Sequence, residues 1–185
     1  MKRILKNSII LVWNYTNPII MSKQTMPNIK RLWGDSVEES IKVLIFKIGQ
    51  EFYGADIRQV ERILGYEEPT PMPETAEYVL GVINQQNNII PVISLQEKFK
   101  TKGIISESES KIIIAKDSNF KIGILVDSVS EVSDIKPSCI ENPPAIISKA
   151  SMKYLKGLIK LNNKIVILLN LDAILNEDEK KELIV

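Results

Sequence analysis

Side chains able to do chemistry are scarce in this chain of 185 residues, and one of them, histidine, is absent. Imidazole is the group that ordinarily titrates near neutral pH. Its absence removes Ser-His-Asp and Cys-His nucleophiles, His-ligated zinc and most neutral-pH general bases. The single Cys139 can form no internal disulfide and cannot build a thiolate metal cage alone. Its apolar and proline neighbours suit an inert thiol, and such cysteine usage fits a cytoplasmic protein. Asp56 and Asp127 invite comparison with a catalytic dyad. Two-carboxylate hydrolysis needs the pair facing across a cleft, and no sequence feature sets them so; they read as structural carboxylates at turns or strand ends. Glu67-Glu68 and Glu177-Asp178-Glu179 read as solvated faces, not metal ligands. The eight glycines never lie closer than five residues apart. No G-x-G-x-x-G and no G-x-x-x-x-G-K-[ST] occurs, so no phosphate cradle is written. No catalytic residue, metal or cofactor is expected.

The elements that would position any site are short β-strands. From Ile41 onward, Lys42–Ile48, Asn88–Leu95, Lys111–Lys116, Lys121–Asp127 and Lys164–Leu171 are Ile/Val runs bounded by turn formers. Such spacing favours barrels or sandwiches in a mainly β fold. Asn87-Asn88 and Asn162-Asn163 read as hairpin tips, because Asn tolerates positive φ. Pro91 inside a strand-like run implies an edge or a bulge. Residues 65–77, with Pro69, Pro71 and Pro73, should run extended and exposed, and Lys102–Ser110 should be a loop. Helical signals cover Asp56–Leu64 and, capped by Asp172, residues 172 to about 183.

The first forty residues differ from the body. They carry six Lys/Arg against three Asp/Glu, whereas residues 41–185 carry eighteen against twenty. The apolar stretch Ser8–Ile20 is broken by Asn14, Asn17 and Pro18, short of the ~20 apolar residues of a membrane span. Residues 1–40 are expected to be an N-terminal extension, flexible or reflecting a start placed upstream of Met21 or Met26. Residues 41–185 are expected to be the folded domain.

That domain contains a repeat. Tyr78-x-x-Gly81 is followed by Pro91, Leu95 and Phe99, and Tyr154-x-x-Gly157 by Ile167, Leu171 and Leu175 at the same offsets. Upstream, Gly54 with Val60 six residues on matches Gly123 with Val129. The expectation is two similar antiparallel barrels of about five strands, each built from one repeat. Gly54, Gly81, Gly123 and Gly157 are expected to be structural glycines.

With these motifs in place, the chain resembles a known family. Phe52-Tyr-Gly-Ala-Asp-Ile57, Val60-Glu-Arg-Ile63, Tyr78-Val-Leu-Gly-Val-Ile-Asn84 and Ile89-Ile-Pro-Val-Ile-Ser-Leu95 are similar to the bacterial chemotaxis coupling (adaptor) family CheW. So are Gly123-Ile-Leu-Val-Asp-Ser-Val-Ser-Glu-Val132, Ile140-Glu-Asn-Pro-Pro144, Tyr154-Leu-Lys-Gly-Leu158 and Leu171-Asp-x-Ile-Leu175. The resemblance implies two packed SH3-like five-stranded barrels, with short helices and a C-terminal helix, in a non-enzymatic adaptor. It implies two partners: the regulatory domain of the histidine kinase CheA, and the helical cytoplasmic tip of methyl-accepting chemoreceptors. It further implies a cytoplasmic protein recruited to membrane-associated receptor arrays, with no membrane insertion of its own and a monomer when free.

The family's receptor-facing positions fall on Val60, Arg62, Gly81, Asn84, Gln86 and Asn87. Many members have Glu where this chain has Arg62, and Arg-Gly where it has Gln86-Asn87, so charge has moved across that face. Which receptors are coupled is not written in the sequence. The rival reading is a small β-barrel that binds single-stranded nucleic acid by stacking bases on aromatics in a basic groove. The body's net charge of −2 and its scattered lysines argue against it, and Phe46, Phe52 and Phe99 sit at core-like positions.

Overall fold

A computed structural model describes residues 39–101, 108–117, 120–144 and 153–183. The proposed extension, but for its last two residues, and most of the loop expected at 102–110 lie outside them. The strands are β1 (Ile41–Ile48), β2 (Glu51–Asp56), β3 (Val60–Gly65), β4 (Val79–Gln85), β5 (Asn88–Ser94), β6 (Lys111–Asp117), β7 (Phe120–Val126), β8 (Ser128–Ile135), β9 (Ile140–Glu141), β10 (Leu155–Leu161) and β11 (Lys164–Leu169). Two short helices, α1 (Leu95–Phe99) and α2 (Glu177–Leu183), follow β5 and β11.

The strands form two sheets, ordered β8-β1-β2-β11-β10-β9 and β3-β6-β7-β5-β4. Each holds one parallel pair, β2 with β11 and β5 with β7, so neither is wholly antiparallel as expected. They are the two SH3-like barrels of a mainly β fold, the first gaining the two-residue β9 as a sixth strand. The repeat does not coincide with them. The second barrel is the contiguous stretch β3–β7, and the first is split around it, β1–β2 joining β8–β11. Each repeat thus donates its opening hairpin to one barrel and its closing hairpin to the other.

The repeat is nonetheless exact in its details of pairing. Gly54 lies opposite Leu168, and Gly123 opposite Val92. The ladder slips between Val79 and Gly81, and again between Leu155 and Gly157. The Ser94 N–H donates to the Tyr78 carbonyl at 2.8 Å, and the Asn170 N–H to the Tyr154 carbonyl at 2.7 Å.

Packing explains why several strands read as unbroken apolar runs. Val43 and Ile45 of β1 point into the first barrel's core with Ile159, Val166 and Leu168. Leu44, Phe46 and Ile48, on the opposite face, enter a core shared by the barrels with Ile113, Ile124 and Leu169. β6 does the same in the second barrel, Ile112 and Ile114 inward and Ile113 and Ala115 outward. A strand buried on both faces loses the apolar–polar alternation of a half-solvated one.

Four local expectations are corrected. Asp56–Leu64 is no helix: one 3-10 turn (Ile57–Gln59) leads directly into β3. β3 carries a bulge between Val60 and Arg62, which breaks its period-two pattern. The C-terminal helix does not start at Asp172. A 3-10 turn covers Leu171–Ala173, and α2 begins after Asn176, whose Oδ1 accepts from the N–H groups of Asp178 and Glu179 while Glu179 Oε2 accepts from its own N–H. That reciprocal arrangement is a capping box. The first hairpin turns at Gln86-Asn87, one residue earlier than expected, while the second turns at Asn162-Asn163; all four residues have positive φ. Finally, β5 is an inner strand, yet its pairing with β7 begins at Val92, so Pro91 is paired on one side only. Residues 65–77 are largely exposed, but Pro69 is buried and Thr70 bridges to Val82.

Candidate functional site

The carboxylates that could have suggested chemistry are spent on structure. Asp56 is buried at the end of β2 and accepts from the Arg58 guanidinium through both oxygens, at 2.6–3.1 Å, and from the Arg58 N–H at 2.9 Å. The Arg58 hydrogen bond holds the Asp56 carboxyl below its usual range. Asp127, just after β7, accepts from the Gly49 N–H at 2.7 Å and so braces the β1–β2 turn. Glu67 and Glu68 are exposed, as are Glu177 and Asp178. Glu179 is not a solvated residue: it lies half-buried with Lys98 Nζ at 2.7 Å. Lys98 also sits 4.0 Å above the Tyr78 ring. Burial pushes the Glu179 carboxyl up, but hydrogen bonds from Lys98, Asn176 and Tyr78 together hold it below the usual value. Burial, reinforced by Glu179, lifts the Tyr78 hydroxyl to about 12.

The six positions singled out for a receptor face all lie on the second barrel or its closure. Arg62 on edge strand β3 donates from Nη2 to Gln86 Oε1 at 3.3 Å, across to the turn that follows the opposite edge strand β4. Gln85 Nε2 donates to Glu67 Oε2 at 3.2 Å, and Thr70 exchanges backbone bonds of 2.8 and 2.9 Å with Val82. These contacts roll the sheet shut and bring Arg62, Gln86 and Asn87 to one end of it. Asn84 is exposed on the same hairpin, directly opposite Ile89, which is 75% exposed. Ile89 and Asn84 thus present an apolar side chain and a polar one together at this end of the barrel.

Val60 and Gly81 are placed differently. The β3 bulge pairs Val60 with Ala115 and Arg62 with Ile114, neighbours on β6 that face opposite ways. Val60 therefore packs on the shared core while Arg62 faces away from it. Gly81 is buried with φ +137°, and a Cβ there would lie 2.1 Å from the Thr70 carbonyl oxygen. That close approach puts Gly81 at the closure of the barrel. Gly157 meets Ile140 and Glu141 similarly closely, and a Cβ on Gly54 or Gly123 would press on core Val or Ile methyls.

Sequence reasoning missed the exposed apolar residues. Ile63 and Val132, on β3 and β8, are both exposed, as are Ile89 and Ile165, on β5 and β11. Each pair occupies matching positions of the two repeats, a signal present in the sequence once the repeat is aligned. The aromatics, by contrast, offer no stacking platform. None of the eight in the body is exposed, and Phe46, Tyr53, Phe99 and Tyr154 form a chain of ring contacts with centroids 4.9–6.2 Å apart. Nothing supports nucleic-acid binding.

Comparison with known proteins fits a surface built for protein contacts. The family model described as CheW-like domain matches residues 42–179. The Chemotaxis protein CheW of Klebsiella aerogenes is 30% identical over 154 residues, covering 83% of this chain and 92% of that protein. Its counterpart from Thermotoga maritima is 31% identical over 150 residues, 80% of this chain and 95% of that one. Among solved structures, the scaffolding protein TtCheW from Thermoanaerobacter tengcongensis matches with a TM-score of 0.65 and 35% identity. The match covers 71% of this chain and 90% of that protein.

Proposed function

The chain belongs to the CheW-like domain family, and from that membership we propose that it joins the regulatory domain of a histidine kinase to the helical tip of a chemoreceptor. Its role is that of a non-enzymatic chemotaxis adaptor and scaffold. The kinase contact is barrel against homologous barrel, and residues 41–185 are the part that makes it. Recruitment to receptor arrays follows from those contacts. No helix among the described residues is long and apolar enough to cross a membrane.

The observation that carries the receptor contact is the end of the second barrel, where Ile89 stands exposed beside Asn84 and the Arg62–Gln86 bond. An amphipathic helix laid there gains an apolar anchor, and its flanking charges fix its register. Arg62, Asn84, Gln86 and Asn87 supply the flanking contacts. Gly81 and Val60 support them from beneath, one by closing the barrel and the other by seating β3. The test is a calorimetric titration of the full chain against the same organism's CheA regulatory domain, then against a receptor-tip fragment. Micromolar binding to both is expected. A folded protein that binds neither would refute the coupling role.

A further inference from the structure

The chain crosses from the first barrel to the second through the 3-10 turn Ile57–Gln59, which ends where β3 begins. β3 is an edge strand, so its ladder holds it from one side only, through β6. The bulge between Val60 and Arg62 interrupts even that pairing. Where Arg62 stands therefore depends on how the strand is anchored at its start. Asp56 anchors the turn at its head, through Arg58. The bulge residue Glu61 is tied to Lys121 at 2.8 Å, but both belong to the second barrel, so that pair cannot set β3 against the first.

Gln59, the last residue of the turn, does reach the first barrel. Its Nε2 donates to Asn170 Oδ1 at 2.7 Å, and its Oε1 accepts from the Leu171 N–H at 3.4 Å. A backbone N–H can only donate. That fixes which way the Gln59 amide faces and obliges Asn170 to present its oxygen. Both side chains are half-buried. The repeat shows that this bond is not needed to finish the corner after β11. Ser94 stands at the same offset from Gly81 as Asn170 from Gly157, and its Oγ caps its own helix, accepting from the Glu97 N–H at 3.2 Å. Asn170 is an equally competent cap, yet it makes no side-chain cap bond to the turn it precedes. Its oxygen goes instead to a residue 111 positions away, at the crossover between the barrels.

We propose that Gln59 is a positioning residue for the receptor contact. With Asn170 it sets where β3 begins, and so where Arg62 stands relative to Asn84 and Gln86, without itself meeting the receptor. The inference rests on the reading of β3 as part of the receptor face. Because Asn170 belongs to the first barrel, a contact made on the second is aligned from the first.

The bond can be removed while both side chains keep their size. Q59E retains it, since Asn170 can turn its amide to donate. N170D retains it, since Gln59 still donates to a carboxylate oxygen. Q59E/N170D sets two acceptors face to face and loses it. The full chain and these variants are titrated calorimetrically against the receptor-tip fragment and against the CheA regulatory domain, with thermal midpoints measured alongside. Each single variant should bind both partners within about twofold of the parent. The double variant should bind the receptor tip about tenfold more weakly, well beyond the product of the singles, while its kinase affinity stays within about twofold. Q59A should show the receptor loss without added charge, and it serves if the double variant fails to fold by circular dichroism. A double variant no weaker than the singles predict would overturn the proposal. So would a loss shared equally by both partners, which would make Gln59 a structural residue only. A parent chain that binds the kinase domain but not the tip would refute the receptor reading and this proposal together, a result seen before any variant is made.

Discussion

Arg62 and Gln86 close the second barrel with one side-chain bond, so exchanging their charge leaves the closure intact: Glu at 62 and Arg at 86 would pair in the same place. R62E/Q86R should therefore keep its thermal midpoint while changing what a partner meets. If the coupled receptor's tip is charged to suit Arg62, the double variant should bind it about fivefold more weakly, the scale of one or two exposed ion pairs. Unchanged or tighter binding by calorimetry would refute the charge match. Gly81 behaves oppositely. G81A forces a Cβ toward the Thr70 carbonyl at a left-handed φ, and a loss of about 2–4 kcal/mol in urea denaturation is expected. At this scale the sequence disclosed which residues matter more readily than how they act. Gly81 stands out in an aligned repeat as a position that demands glycine, but the neighbour that demands it, Thr70, sits in a proline-rich stretch with no period to read.

Among the elements, α2 is the one held by charge. It caps the shared core through Leu183 and is tied to α1 by Glu179 and Lys98 over the Tyr78 ring. Glu179 has a lowered folded-state pKa, so its contribution is present above the unfolded carboxylate value and is lost as pH falls through the folded one. Tyr78 has a raised pKa, so its contribution is complete below about 10 and is lost as pH climbs toward about 12. Urea midpoints measured from pH 3 to 7 should fall on the acid side, and E179Q should flatten that slope; because Glu179 also reinforces the Tyr78 shift, it should soften the alkaline slope in part, leaving the share due to burial. The strands buried on two faces were legible as continuous Ile/Val runs to within a residue or two. β3 was not, because its bulge shifts Val60 and Ile63 into a spacing that imitates a helix. Nor was the start of α2: Asp172 and Asn176 are both competent caps, and only the packing of Leu171, Ile174 and Leu175 into the core selects the later one.

Taken whole, the molecule is joined by a core to which both barrels contribute, and neither can be disordered without exposing the other. A single urea transition, with fluorescence and circular dichroism coincident, is the expected outcome. I113A, at a fully buried site in that shared core, should shift the whole transition by about 2–5 kcal/mol. Two separated transitions would show that the barrels unfold independently. The repeat was visible in the spacing of Tyr-x-x-Gly and the glycine pairs, yet it could not disclose which strands lie side by side. Similarity between two halves is the same whether each folds on itself or they exchange hairpins. Only long-range pairing, Gly54 with Leu168 and Gly123 with Val92, decides it.

That exchange also sets an order of events during synthesis. The chain leaves the ribosome from its N-terminus, and the second barrel, β3–β7, is complete once Val126 has emerged. The hairpin β1–β2 is made first but finished last, since its partner β11 ends at Leu169. Until then the nascent chain carries one closed barrel beside a hairpin whose β2 edge stays open even after β8 has joined β1, a template for intruding strands. The interval between the emergence of Val126 and that of Leu169 is the one in which this fold most needs protection.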